Sequence, residues 1–246
     1  MSMSKAKAEN RELPKRFYEE ASAGPDERGW LVRLDGRPVK TPARHALAAP
    51  CEALANAIAG EWDAQREVIN PFTMPLTRLA HVVIDRMADL RQAAAKEVVR
   101  FARTDTLCIR SEDPELAARQ AGEWDPWLDW SRNGLDAPLI ASASLSGVEQ
   151  PEASLQALAR RAEALDDWRL TGLVSAAPVF ASAVLAFALL EGEGEAQTLF
   201  EVSRLEERHQ NERWGEDREA VEANANKLRD LKAVERLFRI LDEAEI

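Results

Sequence analysis

The residues able to do chemistry in this 246-residue chain are few, and they concentrate in one place: Leu205-Glu206-Glu207-Arg208-His209-Gln210-Asn211-Glu212-Arg213-Trp214-Gly215. The stretch reads as a helix closed by a Trp-Gly stop. Glu206 and His209 stand at i and i+3, the Glu-x-x-His spacing by which a carboxylate and an imidazole share a metal on one helix face. One reading is therefore a metal-dependent enzyme. A second follows from the same residues. Helical spacing gathers Glu206, His209, Gln210 and Arg213 on one side, and Glu207, Gln210 and Trp214 on an overlapping side. A helix serving only its own stability would use Ala, Leu, Lys and Glu there. Carboxylate, amide, imidazole and indole together suggest a surface that touches a partner.

The metal reading needs more ligands than the sequence offers. Di-metal bundles use two Glu-x-x-His motifs and two further glutamates. The remaining histidines are His45, in a loop, and His81, at i, i+4 with Asp85. No metal and no cofactor is expected on this count. No GxxxxGK or GxGxxG cradle for phosphate and no Gly-x-Ser-x-Gly elbow occurs, and glycine numbers only 11. Cys51 and Cys108 sit among apolar or helical residues and read as small buried hydrophobes. A Cys–His dyad stays open, because such pairs meet in space rather than along the chain. The absence of CxxC fits a reducing compartment.

The formal charge of −11 and pI near 5.0 repel phosphate backbones, which excludes nucleic acid as a partner and favours a basic surface. Hydrophobic residues at 46% allow a packed core. Met1–Arg16 has no apolar core and resembles neither a secretory signal nor a transit peptide; a loose tail is expected over residues 1–15. Leu170–Leu190 has the length of a membrane span, but Pro178 and the glutamates at 191, 193 and 195 favour two short helices buried in a soluble core. No membrane insertion is expected. Nothing demands self-association, so a monomer is.

The elements that would carry the 205–215 helix can be placed by pattern. Trp30–Leu34 is a strand, Asp35-Gly36 suits a primed hairpin turn, and Arg37–Thr41 returns as an edge strand limited by Pro38. From Pro50 the period becomes helical, with Pro50 in the first turn and Leu54, Ile58, Trp62 and Gln65 on one face. After a loop over Pro71–Pro75, Thr77 caps a helix bearing Leu79, Val83, Met87 and Leu90. Another helix covers Ala93–Arg103. Asp113-Pro114 starts one that runs to Asn133-Gly134, with a kink or a new start at Asp125-Pro126. Leu135–Gln150 is loop-like and Pro151–Leu165 helical. Two buried helices broken at Pro178 follow, then helices over Glu195–Arg213 and Glu216–Asp242. The last is amphipathic through Val221, Leu228, Leu231, Val234, Phe238 and Leu241. Trp124, Trp127 and Trp130 read as core anchors, Trp62 and Trp214 as contact residues or core. The expected fold is α+β and predominantly α: a small β-rich N-terminal domain with one helix over residues 16–75, then a helical domain over 76–246.

Several short motifs run in a fixed order: Arg16-Phe17-Tyr18, Leu34-Asp35-Gly36-Arg37-Pro38-Val39-Lys40-Thr41-Pro42, Glu61-Trp62-Asp63-Ala64-Gln65, Met74-Pro75-Leu76-Thr77, Thr104-Asp105-Thr106-Leu107-Cys108, Gln120 with Trp124-Asp125-Pro126, and Glu207-Arg208-His209-Gln210 leading to Trp214-Gly215. Over about Arg16–Asp217 the chain resembles the assembly chaperones of the ATP synthase catalytic head that bind its α subunit. The resemblance implies a non-enzymatic role: holding new α subunits and keeping them from aggregating until β subunits join. It implies the same two-part architecture. It also places a functionally important glutamate at Glu207, in the helix before Trp-Gly, with His209 standing where the family commonly carries Tyr. Eukaryotic members work in the mitochondrial matrix; this chain, lacking a transit segment, is expected in a bacterial cytoplasm. The partner-binding residues expected are Glu206, Glu207, His209, Gln210 and Trp214.

Overall fold

The protein is described from a computed structural model over residues 13–144 and 148–245. Most of the expected tail lies outside the described residues. Its described end is tied down: Lys15 bridges Val68, and the Arg16 guanidinium donates to the carbonyls of Asp63 and Glu19 while stacking 4.6 Å from the Tyr18 ring.

A four-stranded antiparallel sheet opens the chain. Strand β2 (Gly29–Leu34) lies at its centre and pairs with β1 (Ala21–Asp26), β3 (Arg37–Pro38) and β4 (Ala48–Ala49). Asp35 and Gly36 both take positive φ, 46° and 76°, as a primed two-residue turn requires. The Asp35 carboxylate accepts the Glu19 and Glu20 amides and so fastens the incoming chain to the turn. Strand β3 itself is two residues long, short of the expected return through Thr41, although Val39 still donates to the Val32 carbonyl at 2.9 Å before the chain turns to pair with Ala46 and Leu47. Strand β1 has no apolar alternation to announce it, and forms because β2 offers it a free edge.

Helix α1 (Glu52–Asp63) is capped at Cys51, which leaves Pro50 outside the first turn. Helix α2 (Pro75–Arg103) is a single 29-residue helix where two were expected. Its apolar stripe changes from Met87 to the small Ala94, Ala95 and Ala102, which lets α4 (Glu152–Ala164) and α5 (Asp167–Phe180) approach closely. Thr77 is not the cap. The half-buried Glu61 carboxylate of α1 accepts the Leu76 and Thr77 amides, each at 2.8 Å, and the Thr77 hydroxyl at 2.7 Å. Negative charge at this terminus also suits the helix dipole. Burial nonetheless pushes the Glu61 pKa above the ordinary carboxylate value.

Helix α3 (Pro114–Gly134) continues through Pro126. Helix α6 (Ala183–Leu190) is buried along its whole length. The α5–α6 break falls at Ala181, φ 52°, and not at Pro178, which the last turn of α5 absorbs. What fixes the break is Asp105. Its buried carboxylate accepts the Leu107 amide on one oxygen and the Val184 amide, at the start of α6, on the other. Among the described residues no helix is long and apolar enough to cross a membrane.

The helix expected over 195–213 is two, α7 (Ala196–Ser203) and α8 (Leu205–Trp214), broken at Arg204. Helix α9 (Arg218–Glu243) closes the chain. One apolar core joins the sheet, α1 and the start of α2 to Ala233, Leu237 and Leu241 of α9; a larger one fills the space between α2, α3, α4, α5, α6, α7 and α9. Trp124 anchors the larger core with no exposed surface, its indole N–H donating to the Val202 carbonyl at 2.9 Å. Trp127 and Trp130 are partly buried against the same core. Gly172 lets α5 and α9 touch, since a Cβ there would lie 2.5 Å from the Phe238 ring.

Candidate functional site

Helix α8 buries only Leu205 and His209. So thin an apolar face cannot dock a helix by itself, and polar bonds to α3 hold it instead. The buried Gln120 amide donates to Glu206 at 2.7 Å while its oxygen accepts the Ser111 amide, also at 2.7 Å. Arg119 forks onto both oxygens of Glu212 (2.6 and 3.1 Å) and reaches His209 Nδ1 at 3.2 Å. These bonds hold the Glu212 carboxyl below the usual carboxylate range. Arg208 pairs with Glu123, and Arg213 with Asp113 and Glu115. Gly215, at φ 86°, ends the helix at the expected stop and donates to the Asn211 carbonyl.

This arrangement divides the five expected contact residues. Glu206 and His209 turn inward onto α3. An arginine can only donate, so His209 Nδ1 accepts and its proton resides on Nε2, which is buried without a hydrogen-bond partner. Glu207, Gln210 and Trp214 face outward along one side. Glu207 is one-third exposed, Gln210 is exposed, and Trp214 is 78% exposed. A free indole of that size on a helix end is unusual, since tryptophan is normally well covered.

Glu207 is held on one oxygen only. Oε1 accepts the Asn224 side-chain amide of α9 at 2.6 Å, whereas Oε2 lies 3.9 Å from Arg204 Nε, beyond hydrogen-bond range. Asn224 was not anticipated. Its signal was present: it is a polar residue in register with the apolar Val221, Leu228 and Leu231 of α9.

Among the described residues no three His, Cys, Asp or Glu side chains are placed to hold a metal ion. His81 and Asp85, paired by spacing, part company in the fold: the Asp85 carboxylate turns to the Thr41 hydroxyl, the Ala43 amide and His45 Nδ1. Cys108 is buried, and desolvation, with Asp105 beside it, pushes its thiol pKa up, the reverse of what a nucleophile needs.

A sequence model of the family described as ATP12 chaperone protein matches residues 15–132, from the bridge at Lys15 to the last turn of α3. The crystal structure of Atp12 from Paracoccus denitrificans superposes with a TM-score of 0.86 at 38% identity, covering 92% of this chain and 97% of that one. The chain belongs to the ATP12 chaperone family. A structure from Agrobacterium tumefaciens agrees, with a TM-score of 0.87, 39% identity, and coverage of 92% and 86%. So does the mitochondrial atp12 protein of Schizosaccharomyces pombe, 24% identical over 229 residues and covering 88% of this chain and 79% of that protein. Membership makes the protein a chaperone of ATP synthase assembly.

The ordered motifs expected from the resemblance acquire physical tasks in this family fold. Arg16 and Asp35 close the N-terminal unit. Glu61 caps α2, Asp105 fixes the α5–α6 corner, and Gln120 seats α8. Most of these motifs therefore build the platform, and the outward side of α8 is what they present.

Proposed function

We propose that the protein binds the unassembled α subunit of ATP synthase and shields its apolar surface from aggregation until the β subunit joins. The observation carrying this reading is the outward side of α8, where a largely exposed Trp214 and an exposed Gln210 share a face with Glu207, whose carboxylate keeps one oxygen free of hydrogen bonds. Tryptophan supplies large, rigid contact area, and a carboxylate selects a basic counterpart and fixes orientation. Glu206 and His209 support the same surface from beneath by holding α8 on α3. The role requires no turnover of a small molecule. It requires a surface of mixed character with affinity modest enough for displacement. The protein acts as a monomer in this reading.

The test is refolding of the isolated α subunit by dilution from denaturant, with and without the protein, followed by light scattering and a sizing column. Suppressed scattering and a co-eluting complex are expected. Unchanged scattering with no complex refutes the proposal.

A further inference from the structure

Glu207 borders a depression of about 220 Å³ between α7, α8 and α9, together with Arg204, Asn211, Asn224 and Leu228. A second depression of about 200 Å³ lies between α2, α5 and α9 and is mainly apolar, with Leu79, Val82, Val179 and Leu231 around it. The two adjoin. Asn224, Leu228 and Leu231 follow one another at helical spacing on the same side of α9, and Arg204 of the first depression donates to the carbonyl of Val179 in the second at 2.5 Å. Val82 is 41% exposed at the apolar end. The two depressions thus lie end to end as a groove in two parts, polar at Glu207 and apolar at Val82, with the Arg204–Val179 bond crossing between them. It runs along α9 for roughly 10–15 Å at 1.5 Å per helical residue.

The charges along it fix the kind of occupant. Arg208 is committed to Glu123, and Arg78, at the apolar end, to Asp230. That leaves the carboxylates of Glu201 and Glu207 against Arg204 alone, a net negative polar end. A second copy of this chain, itself at −11, is a poor occupant on charge. A strand rising 3.3 Å per residue spans the groove with roughly three to five residues.

We infer that the groove receives an extended segment of the client α subunit, with an apolar side chain seated among Val82, Val179 and Leu231 and a cationic side chain three to five residues away meeting Glu207. This rests on the reading that the α subunit is the client.

The experiment measures affinity for isolated α subunit, presented during dilution from denaturant, for the parent, Val82→Glu, Glu207→Lys and Ile140→Glu. Ile140 is an exposed apolar control away from the groove. Val82→Glu is expected to lose at least about tenfold in affinity, as one charge buried in an apolar contact should, while Ile140→Glu binds like the parent. Circular dichroism and melting temperature check the fold. If Val82→Glu proves unstable, Val82→Ala, which suits an exposed helix, should still lose affinity severalfold. Retained affinity in the folded Val82 variants, with Glu207→Lys impaired, overturns the groove and leaves the client assignment standing. Equal losses at Val82 and Ile140 overturn it as well. A parent that fails to bind α subunit overturns both.

Discussion

Asp105 makes the sharpest physical prediction, because it is a fully buried carboxylate that organises a corner of the fold. It has no exposed surface, and its neighbours are the amides of Leu107, Ala183 and Val184 and the Ser182 hydroxyl. Desolvation outweighs these bonds and raises its pKa from 3.8 to about 6. The folded chain thus holds this proton more tightly than the unfolded chain. Asp105 therefore contributes full stability below about pH 4 and loses it as pH rises through about 6. A shift from 3.8 to about 6 corresponds to about 3 kcal/mol at 1.36 kcal/mol per pKa unit. In Asp105→Asn the group no longer titrates. The amide also turns a donor toward a backbone N–H, which costs about 1–3 kcal/mol for the unmatched group at any pH. The measurement is urea unfolding of parent and Asp105→Asn across pH 4 to 8. On lowering the pH over this range, the parent should gain about 2–3 kcal/mol relative to the variant. The difference isolates Asp105 from carboxylates with lowered pKa values, such as Glu212 and Asp85, whose contributions run the other way with pH. A stability difference that stays flat across the range refutes the reasoning.

Three further outcomes are expected. Glu207→Lys should weaken the α-subunit complex by about 2–5 kcal/mol by setting a cation against a basic counterpart, with far-UV circular dichroism unchanged; rescue of α refolding equal to the parent's would remove Glu207 from the interface. Trp214→Ala should leave stability within about 0.5 kcal/mol, as expected for an exposed position, yet raise light scattering of refolding α subunit; a fall in melting temperature without loss of chaperone action would make Trp214 structural. Gly172→Ala should destabilise the fold by about 1–3 kcal/mol through overpacking against Phe238, measurable by denaturant titration; a neutral or stabilising result would mean that the α5–α9 contact has room to relax.

The sequence was most legible where a signal is local. The Asp35-Gly36 turn, the α3 start at Asp113-Pro114 and the stop at Gly215 each rest on the conformational freedom or hydrogen bonding of one or two residues, and each stands where expected. It was least legible where a distant group overrides a local preference. Thr77 has the chemistry of a cap, but Glu61 from another helix holds that terminus. Pro178 has the chemistry of a helix breaker, but the break lies three residues on, at Ala181, near where Asp105 grips the start of α6. Alanine-rich α2 looked like two helices because its stripe changes residue size rather than period.

The candidate site divides in the same way. Patterning and the order of motifs alone determined the α+β, mostly helical class and the chaperone family, and composition the acidic character. Spacing could not tell which side of α8 faces the protein, because an i, i+3, i+4 pattern of polar residues fits either orientation. Only the tertiary structure turned Glu206 and His209 onto Gln120 and Arg119, left Glu207, Gln210 and Trp214 outward, and brought Asn224 to Glu207 across 17 positions of chain. Local conformation is decided by neighbours along the chain, whereas the exposure and hydrogen-bond partner of a polar side chain are decided by whatever packing brings against it.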